Sequence, residues 1–358
     1  MQTKTFETTV GGKKLIAEFT DLAEQANGSV ILRYGNTAVL ATAVLSARTR
    51  DDIDYFPLTV DFEERFYAAG AILGGQYMRR EGRPSEQAIL NGRIVDRTIR
   101  PLFPQHIRNE VQVVITMLAL DEEDPSAIAV NAASLALAVS DIPWHGPVAA
   151  VRIGKKGAGD FIINPTYLER ESGEMSLDIL ACGKDSTINM IEVGAKQVDE
   201  ATIAEGFTKA VEEHDKILAW QHSIVAEIGK AKRDMPKPEL PAALTELYET
   251  TFAAKIKSIV FCGEAGKDSI HHAQDEWLEA VAQLDKSDLS TLKDLKSGTI
   301  KRYFEDKVDE EIHRGAVEDN MRADNRAFGE LRNLYAKAGG ISPILHGSGI
   351  FYRGGTHV

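Results

Sequence analysis

Two cysteines stand in the 358 residues, Cys182 and Cys262, so a disulfide framework is excluded and a reducing cytoplasm is the expected compartment. No apolar run approaches the roughly 18 residues a membrane span needs, and no membrane association is expected. The opening Met1-Gln2-Thr3-Lys4-Thr5-Phe6 has no apolar signal region and passes straight into alternating, strand-like sequence. A third scarcity is local. Between Lys14 and Lys155 there is no lysine, yet there are twelve arginines, six of them between Gln76 and Arg100. The formal net charge is -13, which excludes bulk attraction to a polyanion as the purpose of those arginines. Arginine presents a planar fork that binds phosphate bidentately and stacks on flat rings, so the cluster points to local recognition of a phosphate-rich ligand.

Around this cluster the pattern is of α+β type. Phe6 to Phe19 alternates about Gly11-Gly12 and predicts a hairpin; Ser29–Leu32, Thr37–Leu45, Val111–Leu120, Val148–Ile153, Phe161–Asn164 and Asp178–Cys182 predict strands. Alanine-rich Ser126–Ser140 predicts a helix, with Asp121-Glu122-Glu123-Asp124-Pro125 as its solvated, acidic N-terminus. A long helix is expected from about Asp199 to Lys232. Three prolines in Pro236-Lys237-Pro238-Glu239-Leu240-Pro241 then mark a stiff linker. The charged segment that follows predicts a small all-helical domain whose one strand signal is Ser258–Cys262. The expected domains are 1–235, 236–321 and 322–358.

An internal repeat gives the third segment its meaning. Gly28 to Val39 aligns without a gap on Gly347 to Val358, with six of twelve positions identical. The expectation is a duplicated domain whose second copy is cut off at its first hairpin.

Within the arginine cluster, Pro84 predicts the first turn of a helix, Ile89, Leu90, Ile94, Val95 and Ile99 its apolar face, and Pro101 its end. Arg93, Arg97 and Arg100 are four and three residues apart and fall on one face, with internal pairing of Arg93 and Arg97 to Glu86 or Asp96 as the structural alternative. Tyr77 and Met78 project from the glycine-bearing loop before the helix; a base can stack on Tyr77 while Arg79, Arg80 and Arg83 hold phosphates.

Tyr67-Ala68-Ala69-Gly70, Arg79-Arg80-Glu81-Gly82-Arg83-Pro84-Ser85-Glu86 and Asp96-Arg97-Thr98-Ile99-Arg100-Pro101-Leu102-Phe103-Pro104 resemble the first ribonuclease PH-type domain of the bacterial polynucleotide phosphorylase family. Arg322-Ala323-Asp324-Asn325-Arg326 and His346 to Thr356 are similar to the entry and opening hairpin of that family's second domain. The resemblance implies a ribonuclease PH-type (ribosomal protein S5 domain 2-like) domain, an all-α domain, and the start of a second ribonuclease PH-type domain. It implies 3′→5′ phosphorolysis of single-stranded RNA to nucleoside diphosphates, reversible, with inorganic phosphate as co-substrate and Mg2+ or Mn2+ as cofactor. It also implies a homotrimeric ring, with Tyr77, Met78, Arg79 and Arg80 at its pore, and association with an RNA-degradation complex. Arg322, Arg326 and Arg353 are carried over as second-domain substrate contacts. Where the family's second domain has two metal-holding aspartates, the first copy reads Ser176-Leu177-Asp178, so Asp178 is only a weak metal candidate and the metal site is expected beyond Val358. The chain by itself is then expected to bind RNA without completing catalysis. The alternatives are a non-catalytic RNA-binding ring scaffold and a stand-alone ribonuclease PH-type enzyme that trims transfer RNA.

Overall fold

The computed structural model describes residues 2–50, 53, 55–72, 74, 82–237, 239–263, 267–284 and 297–358. The chain divides into two units, one holding Met1–Arg50 and Tyr55–Lys237, the other Pro238–Val358.

The first unit is built on two sheets. Strands β1 (Thr3–Val10), β2 (Lys13–Thr20), β3 (Gly28–Tyr34), β4 (Thr37–Thr49), β5 (Leu58–Glu63) and β6 (Asn109–Ala119) form the first, in the order β1-β2-β3-β4-β6-β5. All its pairings are antiparallel except β5 with β6. The hairpin expected about Gly11-Gly12 is β1–β2, and both glycines take the positive φ that its two-residue turn requires. The second sheet runs β10-β9-β7-β8, from β7 (Ala149–Lys156), β8 (Phe161–Ile163), β9 (Met175–Lys184) and β10 (Thr187–Ala195). Sequence patterning passed over β5 and β10. β5 does alternate, Leu58, Val60 and Phe62 against Thr59, Asp61 and Glu63, but over only six residues, whereas β10 leaves most of its residues exposed on both faces and lacks the alternation of a half-buried strand.

Helices α1 (Glu86–Ile99), α2 (Pro125–Val139), α3 (Tyr167–Glu171) and α4 (Glu200–Ile228) complete the unit. Every residue of α2 is buried. It is apolar all round because it has neighbours on all sides, β3 and β4 on one and β7 on another. Its small residues permit close approach: a Cβ on Gly28 would stand only 2.1 Å from the Ala136 carbonyl. The polar residues of α2 are satisfied rather than tolerated. Asn131 brackets Ala150, donating to its carbonyl at 2.8 Å and accepting from its N–H at 3.1 Å, while Ser134 meets Gln221 of α4 at 2.7 Å.

The long helix is shorter than its expected 199–232. Asp199 is its N-cap, accepting from Thr202 N–H, and Gly229 ends it. The chain then leaves in an extended path because the C-terminus of α2 needs donors: Lys232 Nζ reaches the carbonyls of Leu137, Ala138 and Ser140, at 2.7, 3.1 and 2.8 Å.

The second unit begins with helices α5 (Ala242–Thr251), α6 (Ala253–Val260), α7 (Asp268–Ala282) and α8 (Ser297–Val317). Five aromatics pack edge-on and stacked at their centre: Tyr248, Phe252, Trp277, Tyr303 and Phe304. The strand signal at Ser258–Cys262 is overturned. Ile256 and Val260 stand four residues apart and both bury against this cluster, so the run belongs largely to α6. A three-stranded sheet follows, in the order β11-β12-β13, from β11 (Leu334–Ala338), β12 (Gly349–Arg353) and β13 (Thr356–His357). The repeated segments take the same shape. β3–β4 turns at Gly35 with φ 60° and β12–β13 at Gly354 with φ 58°.

Buried His214 of α4 couples this packing to pH. One ring nitrogen, Nε2, lies 3.0 Å from the Ala181 carbonyl and so carries the proton, while Nδ1 has no partner. Burial pushes its pKa below the usual 6.5, against the raising effects of the Ala181 carbonyl and of Asp215 and Glu213. The unfolded chain therefore takes up the proton more readily, and stability is lost as pH falls below 6.5 toward the lowered folded value. Thermal unfolding from pH 7 down to about 5 should show a steeper fall in midpoint for the native chain than for His214→Gln. Equal slopes would mean that His214 contributes nothing to acid sensitivity.

Candidate nucleic-acid interface

Helix α1 is the scaffold of the arginine cluster. Its N-cap is Ser85, whose Oγ accepts from Ala88 N–H at 3.0 Å and donates to Glu64 at 2.6 Å; Pro84 precedes the cap rather than forming the first turn. The buried stripe is Ala88, Asn91, Gly92, Val95 and Ile99, with Ile94 and Thr98 beside it. Ile89 and Leu90, expected in the apolar face, fall outside this stripe and are each 53% exposed. The helix thus offers the solvent a mixed apolar and cationic side.

Arg83, Arg93 and Arg97 are exposed. Arg97 has a loose partner in Glu192 of β10, at 3.8 Å, rather than Glu86 or Asp96. Among the described residues Arg83 and Arg93 have no ion pair. Arg100 is corrected from a ligand-binding to a structural residue. Its Nε and Nη2 hold Asp96 at 3.0 and 2.6 Å, and its Nη1 and Nη2 donate to the carbonyls of Phe56 and Leu58 at 3.2 and 3.1 Å. All of these bonds are made inside the fold, fastening the end of α1 to the start of β5. Tyr77, Met78, Arg79 and Arg80 lie outside the described residues.

The acidic turn before α2 is exposed at Asp121 and Glu122, as expected, but Glu123 is buried and Asp124 half-buried, both held by cationic side chains. Glu123 is buried and receives Lys13 Nζ at 3.0 Å and Thr37 Oγ1 at 3.2 Å; Asp121 receives the Asn36 amide at 2.8 Å. Asp124 caps α2 through Ser126 N–H at 2.8 Å and pairs with two guanidinium groups, Arg152 Nε at 2.7 Å and Arg170 Nη1 at 2.6 Å. The same two arginines hold Asp178. Arg152 Nη1 contacts both its oxygens, at 2.9 and 3.0 Å, and Arg170 Nε adds a third bond at 3.0 Å. Burial alone would push the Arg152 pKa down; Asp124 and Asp178 outweigh it and hold that pKa above its ordinary value. Asp178 does not fit a divalent cation, since guanidinium groups already occupy the positions a cation would take. The sequence did carry a signal for this lattice: Arg152 follows the apolar Ala149-Ala150-Val151 and precedes Ile153, Asp178 stands between Leu177 and Ile179, and buried charges come in pairs.

In the second unit, Arg322-x-Asp324-x-Arg326 folds as a single clamp. Asp324 receives Arg326 Nη2 at 2.6 Å and Arg322 Nε at 3.2 Å, and chiefly the Arg326 bonds lower its pKa to about 2. Asn325 stands at φ 55°, the left-handed turn that asparagine tolerates. Arg353, at the end of β12, lines the same pocket as Arg322 and Arg326.

The lattice ties the two sheets of the first unit together, and the chain passes from one sheet to the other where two matches to known proteins meet. The chain matches the 3′ exoribonuclease family, domain 1, over residues 12–143 and domain 2 over residues 146–213. The two matches together cover more than half of the chain, which belongs to this family. The particular relatives are polyribonucleotide nucleotidyltransferases. That of Exiguobacterium sibiricum is 40% identical over 361 residues, covering 100% of this chain and 47% of its own. That of Thermus thermophilus is 40% identical over 360 residues, covering 100% and 50%, and that of Lysinibacillus sphaericus 41% over 357, covering 96% and 48%. The chain thus spans about half the length of the curated relatives it matches. A crystal structure of Rrp46 from rice (Oryza sativa) is similar at a TM-score of 0.48 and 14% identity, over 63% of this chain and 96% of that one.

Arg152→Ala leaves Asp124 and Asp178 facing each other with one counter-charge fewer, and should cost about 3–5 kcal/mol of unfolding free energy in denaturant titrations. A loss below about 1 kcal/mol would show that Arg170 alone suffices.

Proposed function

We propose that this chain is the RNA-gripping and scaffolding part of a phosphorolytic 3′→5′ exoribonuclease. The observation that carries the reading is the match at 40% identity, along the whole chain, to about half of a polyribonucleotide nucleotidyltransferase. In the intact enzyme an oxygen of inorganic phosphate attacks the terminal phosphorus of RNA and the bond to the preceding 3′ oxygen breaks. A nucleoside diphosphate leaves, the shortened strand takes the proton at its new 3′-hydroxyl, and the reverse reaction extends RNA. Positioning and charge neutralisation dominate such a transfer. In this reading residues 1–235 form the first ribonuclease PH-type domain, 236–321 the helical domain and 322–358 the opening of the second. Three chains close a homotrimeric ring in the cytoplasm, which can join an RNA-degradation complex. Among the described residues no helix is long and apolar enough to cross a membrane.

Single-stranded RNA would be held by Arg79 and Arg80, by Tyr77 and Met78 beside them, and by exposed Arg83, Arg93 and Arg97 along α1. Mg2+ or Mn2+ would supply charge neutralisation in the intact enzyme, and the closed state of Asp178 favours a non-catalytic role for this part of it. Purified chain given poly(A), phosphate and Mg2+ should therefore retain RNA while releasing little nucleoside diphosphate. Sustained diphosphate release would overturn the division of labour.

Arg79→Asp/Arg80→Asp should weaken RNA binding and flatten its dependence on salt by about 0.7 in log–log slope for each phosphate that is no longer neutralised. Unchanged affinity and slope, read by fluorescence anisotropy, would remove the loop from the interface.

A further inference from the structure

Two carboxylates of the first unit are bridged by two guanidinium groups. Arg152 places Nε 2.7 Å from Asp124, and Nη1 at 2.9 and 3.0 Å from the two oxygens of Asp178. Arg170 repeats the bridge, with Nη1 on Asp124 at 2.6 Å and Nε on Asp178 at 3.0 Å. Each arginine thus touches both acids, and each acid both arginines. The Ser126 hydroxyl adds a further oxygen to the group: it donates to Asp124 at 2.6 Å and accepts from Arg152 Nη2 at 3.2 Å. The side chains of Asp124 and Arg152 are only 8% and 10% exposed, so salt screens their charges little.

Carboxylate and hydroxyl oxygens gathered in one place are the ligands that a hard divalent cation takes. Asp178 also stands in the stretch that the family resemblance aligns with metal-holding aspartates. The residues present do not fit such an ion. Two carboxylates and two guanidinium groups sum to zero, and a divalent cation added to them would leave two uncompensated positive charges in a poorly solvated site. The space is lacking as well. The cavity beside Arg152, lined also by Asp124, Asn131 and Asn164, has a volume of about 10 Å³, one water at most. Its two asparagines are committed to the backbone, Asn131 to both groups of Ala150 and Asn164 to the N–H of Arg152.

We infer that Arg152 and Arg170 are a built-in replacement for a divalent cation, and that Asp124 and Asp178 become a cation site when these arginines are removed. The first unit then folds without Mg2+ or Mn2+, because the positive charge that joins its sheets is carried by Arg152 on β7 and Arg170 on α3. A guanidinium group tied to the chain cannot diffuse away, so the joint holds at any concentration of free cation. The inference rests on the lattice alone and stands whether or not the chain grips RNA.

Full-length chain is titrated with Mn2+ by calorimetry, in the absence of RNA, alongside Asp178→Asn, Arg152→Lys and Arg152→Ala/Arg170→Ala. Native chain, Asp178→Asn and Arg152→Lys are expected to bind Mn2+ alike, at surface carboxylates only. The double variant is expected to gain one site about tenfold or more tighter than any in the native chain, and its unfolding midpoint to rise with Mn2+. Adding Asp178→Asn to the double variant should abolish that site. Loss of a Mn2+ site from the otherwise native chain on Asp178→Asn overturns the inference, because the acid would then already hold metal. A folded double variant that binds Mn2+ no better than the native chain overturns it equally. If the double variant stays unfolded with and without Mn2+, Arg170→Ala decides in the same assay: a weaker gain of Mn2+ binding supports the inference, and no gain overturns it.

Discussion

The first unit depends on one shared carboxylate. Asp124 caps α2 with one oxygen and with the other meets Arg152 and Arg170, which in turn hold Asp178. Four elements meet there: the end of the turn from β6 into α2, the two central strands β7 and β9 of the second sheet, and the short helix α3. Because α2 is also the floor of the first sheet, fixing its N-terminus fixes one sheet against the other. The lattice is electrically balanced, two carboxylates against two guanidinium groups, so its burial need not leave a net charge out of water. The same balance removes Asp178 from metal chemistry. The structural and the catalytic uses of a carboxylate exclude each other here, and the structural use has the stronger geometry.

Much of this was legible in the residues. The hairpin at Gly11-Gly12, the alanine-rich α2 and the long α4 announced themselves because each has one dominant period or one turn chemistry. The repeat of Gly28–Val39 at Gly347–Val358 foretold two hairpins of one shape, and both turn on a glycine at φ near 60°. The failures have a common cause, which is that composition does not state what a side chain faces. Glu123 and Asp124 looked solvated, as their neighbours Asp121 and Glu122 are, and nothing local reveals that Lys13, Thr37 and two distant arginines converge on them. Ile89 and Leu90 looked like core because they are apolar, but the stripe from Ala88 to Ile99 leaves them on the outer side of α1. Ser258–Cys262 looked like a strand because β-branched residues crowd there, whereas Ile256 and Val260 are spaced for a helix that an aromatic cluster rewards.

The arginines were the clearest signal and also the one most in need of sorting. Spacing placed Arg93, Arg97 and Arg100 together, yet only the first two face outward. Arg100 sits beside the carbonyls of Phe56 and Leu58 at the entry to the edge strand β5, with Asp96 one turn back on its own helix, and these three acceptors decide its role. Arg152 is decided the same way by Asp124 and Asp178. Arg83, Arg93, Arg332 and Arg353 are the converse, each exposed and without a carboxylate partner among the described residues.

Under the proposed function, that sorting is what would let so acidic a chain hold a polyanion. At physiological ionic strength the field of exposed charges fades over about 8 Å, so a phosphate that has arrived responds to the few groups within that distance and hardly at all to the net charge of the whole. What matters is the local ratio of forks to carboxylates. Around Asp124 and Asp178 that ratio is one to one, and the result is an interior strut. On the exposed side of α1, Arg83 and Arg93 have no ion pair among the described residues, and such surplus forks are what a phosphate would use under the proposed function. The bulk acidity would then have its own effect, repelling polyanions from surfaces where arginines are absent or already paired and so favouring the places where forks are exposed and without a carboxylate.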